Sequence, residues 1–165
     1  MKNTQVMYGI VVKSEKVGEF DARIKILCPD GLKSFTATGV HKPNAKLKPA
    51  IQLFTIGEFN IIGHKITGAH VIHSNHEITR DIKKYYLACS ICEVITQLHG
   101  SGFALTAEAL NELCNTESEP KKVYAEYFTA LLHEMGYDIQ ENQTINHAYA
   151  QNLDIKIPNT TFYLT

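Results

Sequence analysis

Cationic side chains in the first third of the sequence are the residues whose type and spacing best suit chemistry. They are Lys13, Lys16, Arg23, Lys25, Lys33, His41, Lys42, Lys46 and Lys48. Lysine and arginine neutralise phosphate groups without the fixed geometry that base recognition needs. The alternative is that single lysines only solvate a β surface and keep its edges from pairing. As a set, they predict a nucleic-acid-binding surface, with Tyr8 and Phe35 as candidate stacking platforms for bases.

Charge is distributed unevenly along the chain. Residues 1–78 carry ten lysines and arginines against six acidic residues, whereas residues 79–165 carry six against eleven. The overall formal charge is −1, which by itself predicts no affinity for nucleic acid. The asymmetry indicates two units with different surface roles. Chance segregation of solvated surface charge is the alternative.

Catalytic signatures are missing from the sequence. No dinucleotide-binding loop, phosphate-binding loop, nucleophile elbow or zinc-protease helix occurs. His70, His73 and His76 lack the i, i+2 spacing of one strand face, and their segment straddles a predicted strand end, which argues against one helix. We therefore interpret them as surface or turn residues. Cys89 and Cys92 lie on an apolar stripe without a second cysteine pair, which favours buried thiols over a zinc site. We therefore predict a non-enzyme with no cofactor and no metal.

The first half of the sequence has the pattern of β structure. From residue 20 to 26, FDARIKI, apolar and polar residues alternate, which puts Arg23 and Lys25 on one strand face. Further strand-like runs occupy 6–13, the residues from Leu32 after a Pro-Asp-Gly turn, 51–62 and 65–74. Five strands without a crossover helix predict a small antiparallel barrel, for which the OB fold is the natural candidate.

The second half has the pattern of helices. Apolar residues recur every three or four positions from Ile78 to Leu98, and a second helix is predicted over 104–114. A third is predicted to be capped by Ser118, with Pro120 in its first turn and Gly136 after its end. Residues 137–165 are expected to form an ordered tail. The predicted class is α+β, with an OB-fold domain over 1–76 and a helical domain with a C-terminal tail over 77–165.

Targeting signals are not recognisable in the sequence. The opening residues, MKNTQVMYG, lack the apolar segment of a signal peptide, and no apolar run approaches the length of a membrane span. The four cysteines are sparse and irregular, which is typical of reduced thiols. We therefore expect a cytoplasmic, nucleoid-associated protein that does not contact membranes.

A series of short motifs resembles the bacterial RecO family of recombination-mediator proteins. The resemblance runs in register over about residues 5 to 138, and the order and spacing of the motifs carry it. In sequence they are GIVV at 9–12, GEFD at 18–21, CPDGL at 28–32, TGVHKP at 38–43, AIQLF at 50–54, YYL at 85–87 and YFTALL at 127–132. The chain resembles a short form of the family without the four-cysteine zinc module that many members carry.

This resemblance implies an N-terminal OB fold followed by a helical domain, and a function in DNA repair. Such proteins bind single- and double-stranded DNA, anneal complementary strands and help to load RecA onto DNA. The partners implied are RecR, the acidic C-terminal tail of single-stranded DNA-binding protein and, indirectly, RecA. The DNA surface implied for this chain includes Arg23, Lys25, Lys33, His41, Lys42 and Lys46.

Three functional hypotheses follow from the sequence. The first is a non-catalytic mediator that binds DNA through backbone charge and promotes annealing. The second is a protein-interaction adaptor of repair or replication that has lost DNA handling and recruits partners through its helical half. The third is a thiol-dependent or metal enzyme that uses Cys89 and Cys92.

Overall fold

Five β-strands form a closed barrel in the first unit of the chain, in the order β1-β2-β3-β5-β4. The structure is a computed structural model that describes residues 3–98 and 100–158, and it divides into two compact units between Asn75 and His76. The strands are β1 (Gln5–Val17), β2 (Asp21–Cys28), β3 (Gly31–Ala37), β4 (Ile56–Ile62) and β5 (Lys65–His73). Neighbouring strands are antiparallel except β3 and β5, which meet in parallel at Thr36 and Lys65. The predicted α+β class and OB-fold barrel are confirmed.

Alternation along the strands builds the barrel core. Ala22, Ile24 and Ile26 of β2 point inward and are fully buried, while Arg23 between them is exposed. Burying an aliphatic side chain of this size stabilises the fold by about 1.5–3 kcal/mol. The inward set continues on β3 with Phe35 and Ala37.

A β-bulge in β1 changes which residues face outward. Before the bulge, Met7 and Val11 point into the core. The register with β2 shifts between Val11 and Lys13, so Lys13 pairs with the outward-facing Lys25. Without the extra residue, Lys13 would have the inward orientation of Val11, because successive strand residues point to opposite faces.

The segment between β3 and β4 caps the barrel. The sequence predicted one strand over 51–62, and this is wrong for residues 51–55, which form turns. Phe54 has a left-handed backbone with φ of 75°, which departs from the extended backbone of a regular strand. Its backbone N–H donates to the Val11 carbonyl at 2.9 Å. Ala50 and Ile51 are buried in the barrel core.

Helices make up the second unit. A 3-10 turn at His76–Arg80 precedes α1 (Ile82–Gln97), α2 (Phe103–Cys114), α3 (Pro120–Glu134) and α4 (Ile145–Leu153). The predicted second and third helices are confirmed, but the residue that caps α3 is Glu119 and not Ser118. The first α-helix begins later than predicted because the Asp81 carboxylate accepts the backbone N–H of Lys83 at 2.9 Å and caps α1. No helix in the described ranges is long and apolar enough to cross a bilayer.

The expected C-terminal tail contains α4, which the sequence analysis missed. The Thr144 hydroxyl accepts the backbone N–H of His147 at 3.2 Å and so caps the helix. Tyr149 is fully buried, and its hydroxyl donates to the Phe128 carbonyl at 2.7 Å. Residues 159–165 of the expected tail lie outside the described residues.

Candidate nucleic-acid interface

The outer surface of β1, β2, β3 and β5 gathers four cations, Lys13, Arg23, Lys25 and Lys65, which we call the basic face. Residues paired across neighbouring strands point to the same side of a sheet. One such row joins Glu15, Arg23, Thr36 and Lys65, and the next joins Lys13, Lys25 and Ser34. Arg23 and Lys65 are exposed, and Lys13 and Lys25 are half-buried at the surface.

Glu15 is the carboxylate within this face. Its oxygen lies 3.0 Å from Nζ of Lys13, and both side chains remain about half exposed. The hydrogen bond and charge of Lys13, helped by Arg23 and Lys25, hold the pKa of Glu15 below its usual range. Glu15 is therefore ionised at neutral pH, and it offsets part of the positive charge of the face.

Lys65 is a member of the basic face that the sequence analysis did not select. It lies at the β4–β5 turn, far from β2 in sequence, and reaches the face only because β3 and β5 close the barrel. The backbone N–H of Thr36 donates to the His64 carbonyl at 2.8 Å and fixes that closure. The Gly63-His64 turn was visible as a hairpin signal, but nothing local in the sequence places it beside β3.

Two of the predicted cations do not lie on the basic face. Lys16 pairs with Ala22, and Lys33 pairs with Ile26, so both belong to the side of their strands that carries the core residues. Lys33 is also paired with Asp30, whose carboxylate lies 2.9 Å from Nζ. The predicted surface is therefore split, and Lys33 contributes little unpaired charge.

The four remaining predicted residues lie in the segment between β3 and β4. The backbone N–H of His41 donates to the Phe20 carbonyl at 2.9 Å, and Nε2 of the half-buried His41 ring has no hydrogen-bond partner among the described residues. Lys42 extends over the Phe20 ring, with Nζ 5.6 Å from its centroid. Lys46 and Lys48 are exposed on either side of Leu47, which packs against the core. These residues form a second basic group, and its Lys42 lies beside the β1–β2 turn.

The two candidate stacking aromatics have different environments. Phe35 is part of the barrel core with 8% of its surface exposed, so its role as a platform is contradicted. Tyr8 is 41% exposed, but it pairs with Glu58 on the β1–β4 side of the barrel. Tyr8 therefore belongs to a different pair of strands from the rows of the basic face.

The cysteines do not have the environment of reactive thiols. Burial raises the pKa of both Cys89 and Cys92, whereas a reactive thiol needs a lowered pKa. Within residues 3–98 and 100–158, no three histidine, cysteine or acidic side chains are grouped closely enough to hold a metal ion. The geometry therefore lends no support to the thiol or metal hypothesis.

Comparison with known proteins identifies the barrel. The family model described as recombination protein O N terminal matches residues 1–74, which contain all five strands and the basic face. This chain is thus similar, over residues 1–74, to the N-terminal domain of the RecO family. Two proteins named DNA repair protein RecO, from Synechococcus elongatus and Synechococcus sp., are each 39% identical to it over 59 residues. That stretch covers 35% of this chain but only 22% of each RecO relative.

Proposed function

We propose that this chain acts in DNA repair or recombination by binding DNA strands along the basic face of its barrel. The observation that carries the proposal is the convergence of Lys13, Arg23, Lys25 and Lys65 on one outer surface. In OB folds the surface of strands 2 and 3, with the flanking β1–β2 and β4–β5 loops, is the usual nucleotide-binding region. Both β2 cations fall within that region, as does Lys65, the first residue of β5 after the β4–β5 turn.

Strand annealing follows from the same electrostatics. Two complementary strands repel each other through their phosphates, and a surface that neutralises both lowers this repulsion. The basic face could hold one strand, and the second basic group at Lys42, Lys46 and Lys48 could hold another. We propose that the protein binds single- and double-stranded DNA, promotes annealing, and delivers strands to RecA together with RecR, by a non-catalytic mechanism.

A salt titration of single-stranded DNA binding tests the proposal. If about four phosphate contacts form, log K should fall with log salt with a slope of roughly −3. The charge reversals Lys42→Glu and Lys46→Glu should weaken binding to all sequences similarly, because phosphate contacts carry no base information. Absence of binding, or binding that salt does not change, would contradict the proposal.

The adaptor hypothesis makes a different prediction. It holds that other repair or replication proteins bind through the helical unit, whose sequence carries more acidic than basic residues. Partner capture would then survive reversal of Arg23 and Lys25, and no DNA gel shift would occur with or without RecR. A gel shift that RecR strengthens would favour the mediator instead.

A further inference from the structure

A groove between α2 and α3 has features that the proposed DNA-binding function does not use. It has a volume of about 230 Å³, below the roughly 300–1,000 Å³ of typical small-molecule pockets. Its floor includes Ala109, Val123 and the ring of Tyr127, all buried. The size and the apolar floor suit one or two side chains of a peptide better than a whole cofactor.

The residues that line this groove have the same spacing on both helices. The lining residues of α2 begin at Leu105 and those of α3 at Val123, and in each helix they follow at intervals of three, four and seven positions. This spacing places them on a single helical stripe. The hydroxyl of Tyr127 forms a hydrogen bond with the hydroxyl of Thr106, with 2.8 Å between the two oxygens. The floor of the groove therefore holds no unsatisfied phenol.

Three glutamates give the groove a negative rim. Glu108 and Glu112 lie one helical turn apart on α2, and Glu126 lies on α3. Neither Glu108 nor Glu112 forms an ion pair within the described ranges, and Glu126 reaches only Lys122, at 3.8 Å between two largely exposed side chains. Like charges one turn apart destabilise a helix, so a cation bound between them relieves repulsion that the free protein retains.

We propose that this groove docks a peptide segment of a partner protein in which lysine or arginine alternates with aliphatic residues. The aliphatic side chains pack on the floor, and the cationic side chains pair with the glutamates at the rim. Charge complementarity decides the kind of partner, because an acidic segment would face three carboxylates and is repelled. The groove lies wholly within the helical unit, so the inference does not depend on DNA binding.

Fluorescence anisotropy with the full chain tests the inference. The probe is a labelled synthetic peptide of roughly ten residues that alternates leucine with arginine. The paired substitutions Glu108→Gln and Glu112→Gln keep side-chain size, and they should weaken binding about fivefold, as expected for two exposed charge pairs. Ala130→Phe, which fills the groove without changing charge, should also weaken binding, with circular dichroism to confirm that the variant folds.

Matched controls separate the groove from general acidity. Glu93→Gln with Glu141→Gln removes the same charge from exposed positions of the helical unit that do not line the groove, and it should leave the affinity unchanged. Equal weakening by both glutamate pairs would overturn the inference. So would tighter binding of the peptide with glutamate in place of arginine, or equal binding of a peptide with alanine in place of leucine. A change in oligomeric state of the groove variants, measured by sedimentation, would also overturn it, because the occupant would then be a second copy.

Discussion

How much positive charge a cation adds to the surface depends on whether a carboxylate lies beside it, and the number of cations matters less. Lys13 and Lys33 each have a carboxylate within 3.0 Å, whereas Arg23, Lys25 and Lys65 have none within 4 Å in the part of the chain that the structure describes. Exposed ion pairs contribute at most about 1 kcal/mol to folding. The main effect of Glu15 is therefore on the field of the basic face and not on the stability of the barrel.

Replacement of Glu15 by glutamine is expected to tighten DNA binding. The change removes a negative charge from the face and releases Lys13 for a phosphate contact. Since the depressed pKa keeps Glu15 ionised at neutral pH, the full charge is lost in the variant. We expect about a two- to fivefold gain in affinity for single-stranded DNA at low salt, measured by anisotropy. The control is Glu58→Gln, which removes an exposed charge from β4, the strand that pairs with β1 and β5. An equal gain in DNA affinity in this variant would contradict a local effect of Glu15.

Gly9 is expected to be indispensable for the contact between β1 and β2. A Cβ at this position would overlap the Ile26 side chain and approach the Leu27 carbonyl oxygen to 2.8 Å. Gly9→Ala should lower the free energy of opening of the β2 amides by about 1–3 kcal/mol, as overpacking does. Hydrogen exchange measures this directly. The control is Gly63→Ala, at a left-handed turn with open space around it. It should lower the stability of the fold by only about 1 kcal/mol and leave the β2 amides protected from exchange. If Gly63→Ala lowered the protection of β2 more than Gly9→Ala, the argument from close approach would be refuted.

Features that depend on the residue pattern within one strand could be predicted from the sequence. Features that depend on how strands pair and close the barrel could not. The alternation around Arg23 and Lys25 correctly placed both residues on the outer face of β2. The orientation of Lys13 depends on the bulge, and the position of Lys65 depends on a parallel contact between strands distant in sequence. The sequence predicts a strand at Phe54 because an apolar run by itself does not reveal a left-handed backbone.

The fourth helix was missed because its own sequence gives little signal. In INHAYAQNL only Ala148 and Tyr149 are buried, and asparagine and histidine are weak helix formers. Helix formation there depends on tertiary contacts, in which the Tyr149 ring meets the Phe128 ring edge-on with centroids 5.5 Å apart. Packing of a distant side chain is information that a nine-residue segment does not contain.

The anchoring of α4 by Tyr149 leads to a stability prediction. Tyr149→Phe removes the donor to the Phe128 carbonyl and should cost about 1–2 kcal/mol, while Tyr149→Ala should cost about 3–5 kcal/mol. Burial raises the pKa of the Tyr149 hydroxyl, so it remains a donor at neutral pH. Thermal unfolding followed by circular dichroism would measure both. Tyr137→Phe, at an exposed tyrosine, should have almost no effect, and equal losses in the two phenylalanine variants would show that the buried bond contributes nothing.

At the scale of the whole molecule, charge is separated between the two units. The barrel sequence has an excess of cations, and the helical sequence has an excess of carboxylates. Net charge alone therefore predicts no DNA binding, although one face of the barrel is basic. Composition revealed the separation, but only the strand register shows which cations share a face.

A pair of matched charge reversals can decide whether the local face or the total charge governs DNA binding. Arg23→Glu with Lys25→Glu changes the net charge by the same amount as Lys83→Glu with Lys121→Glu, whose side chains are exposed on α1 and at the start of α3. If the basic face is the DNA site, only the barrel pair removes phosphate contacts, and the helical pair changes the total charge alone. The barrel pair should therefore weaken single-stranded DNA binding by at least about tenfold and reduce the salt slope by roughly 1.4, since each lost contact removes about 0.7. The helical pair should change neither quantity measurably in the same salt titration. If the two pairs weaken binding equally, total charge governs the affinity, and the assignment of the DNA site to the barrel fails.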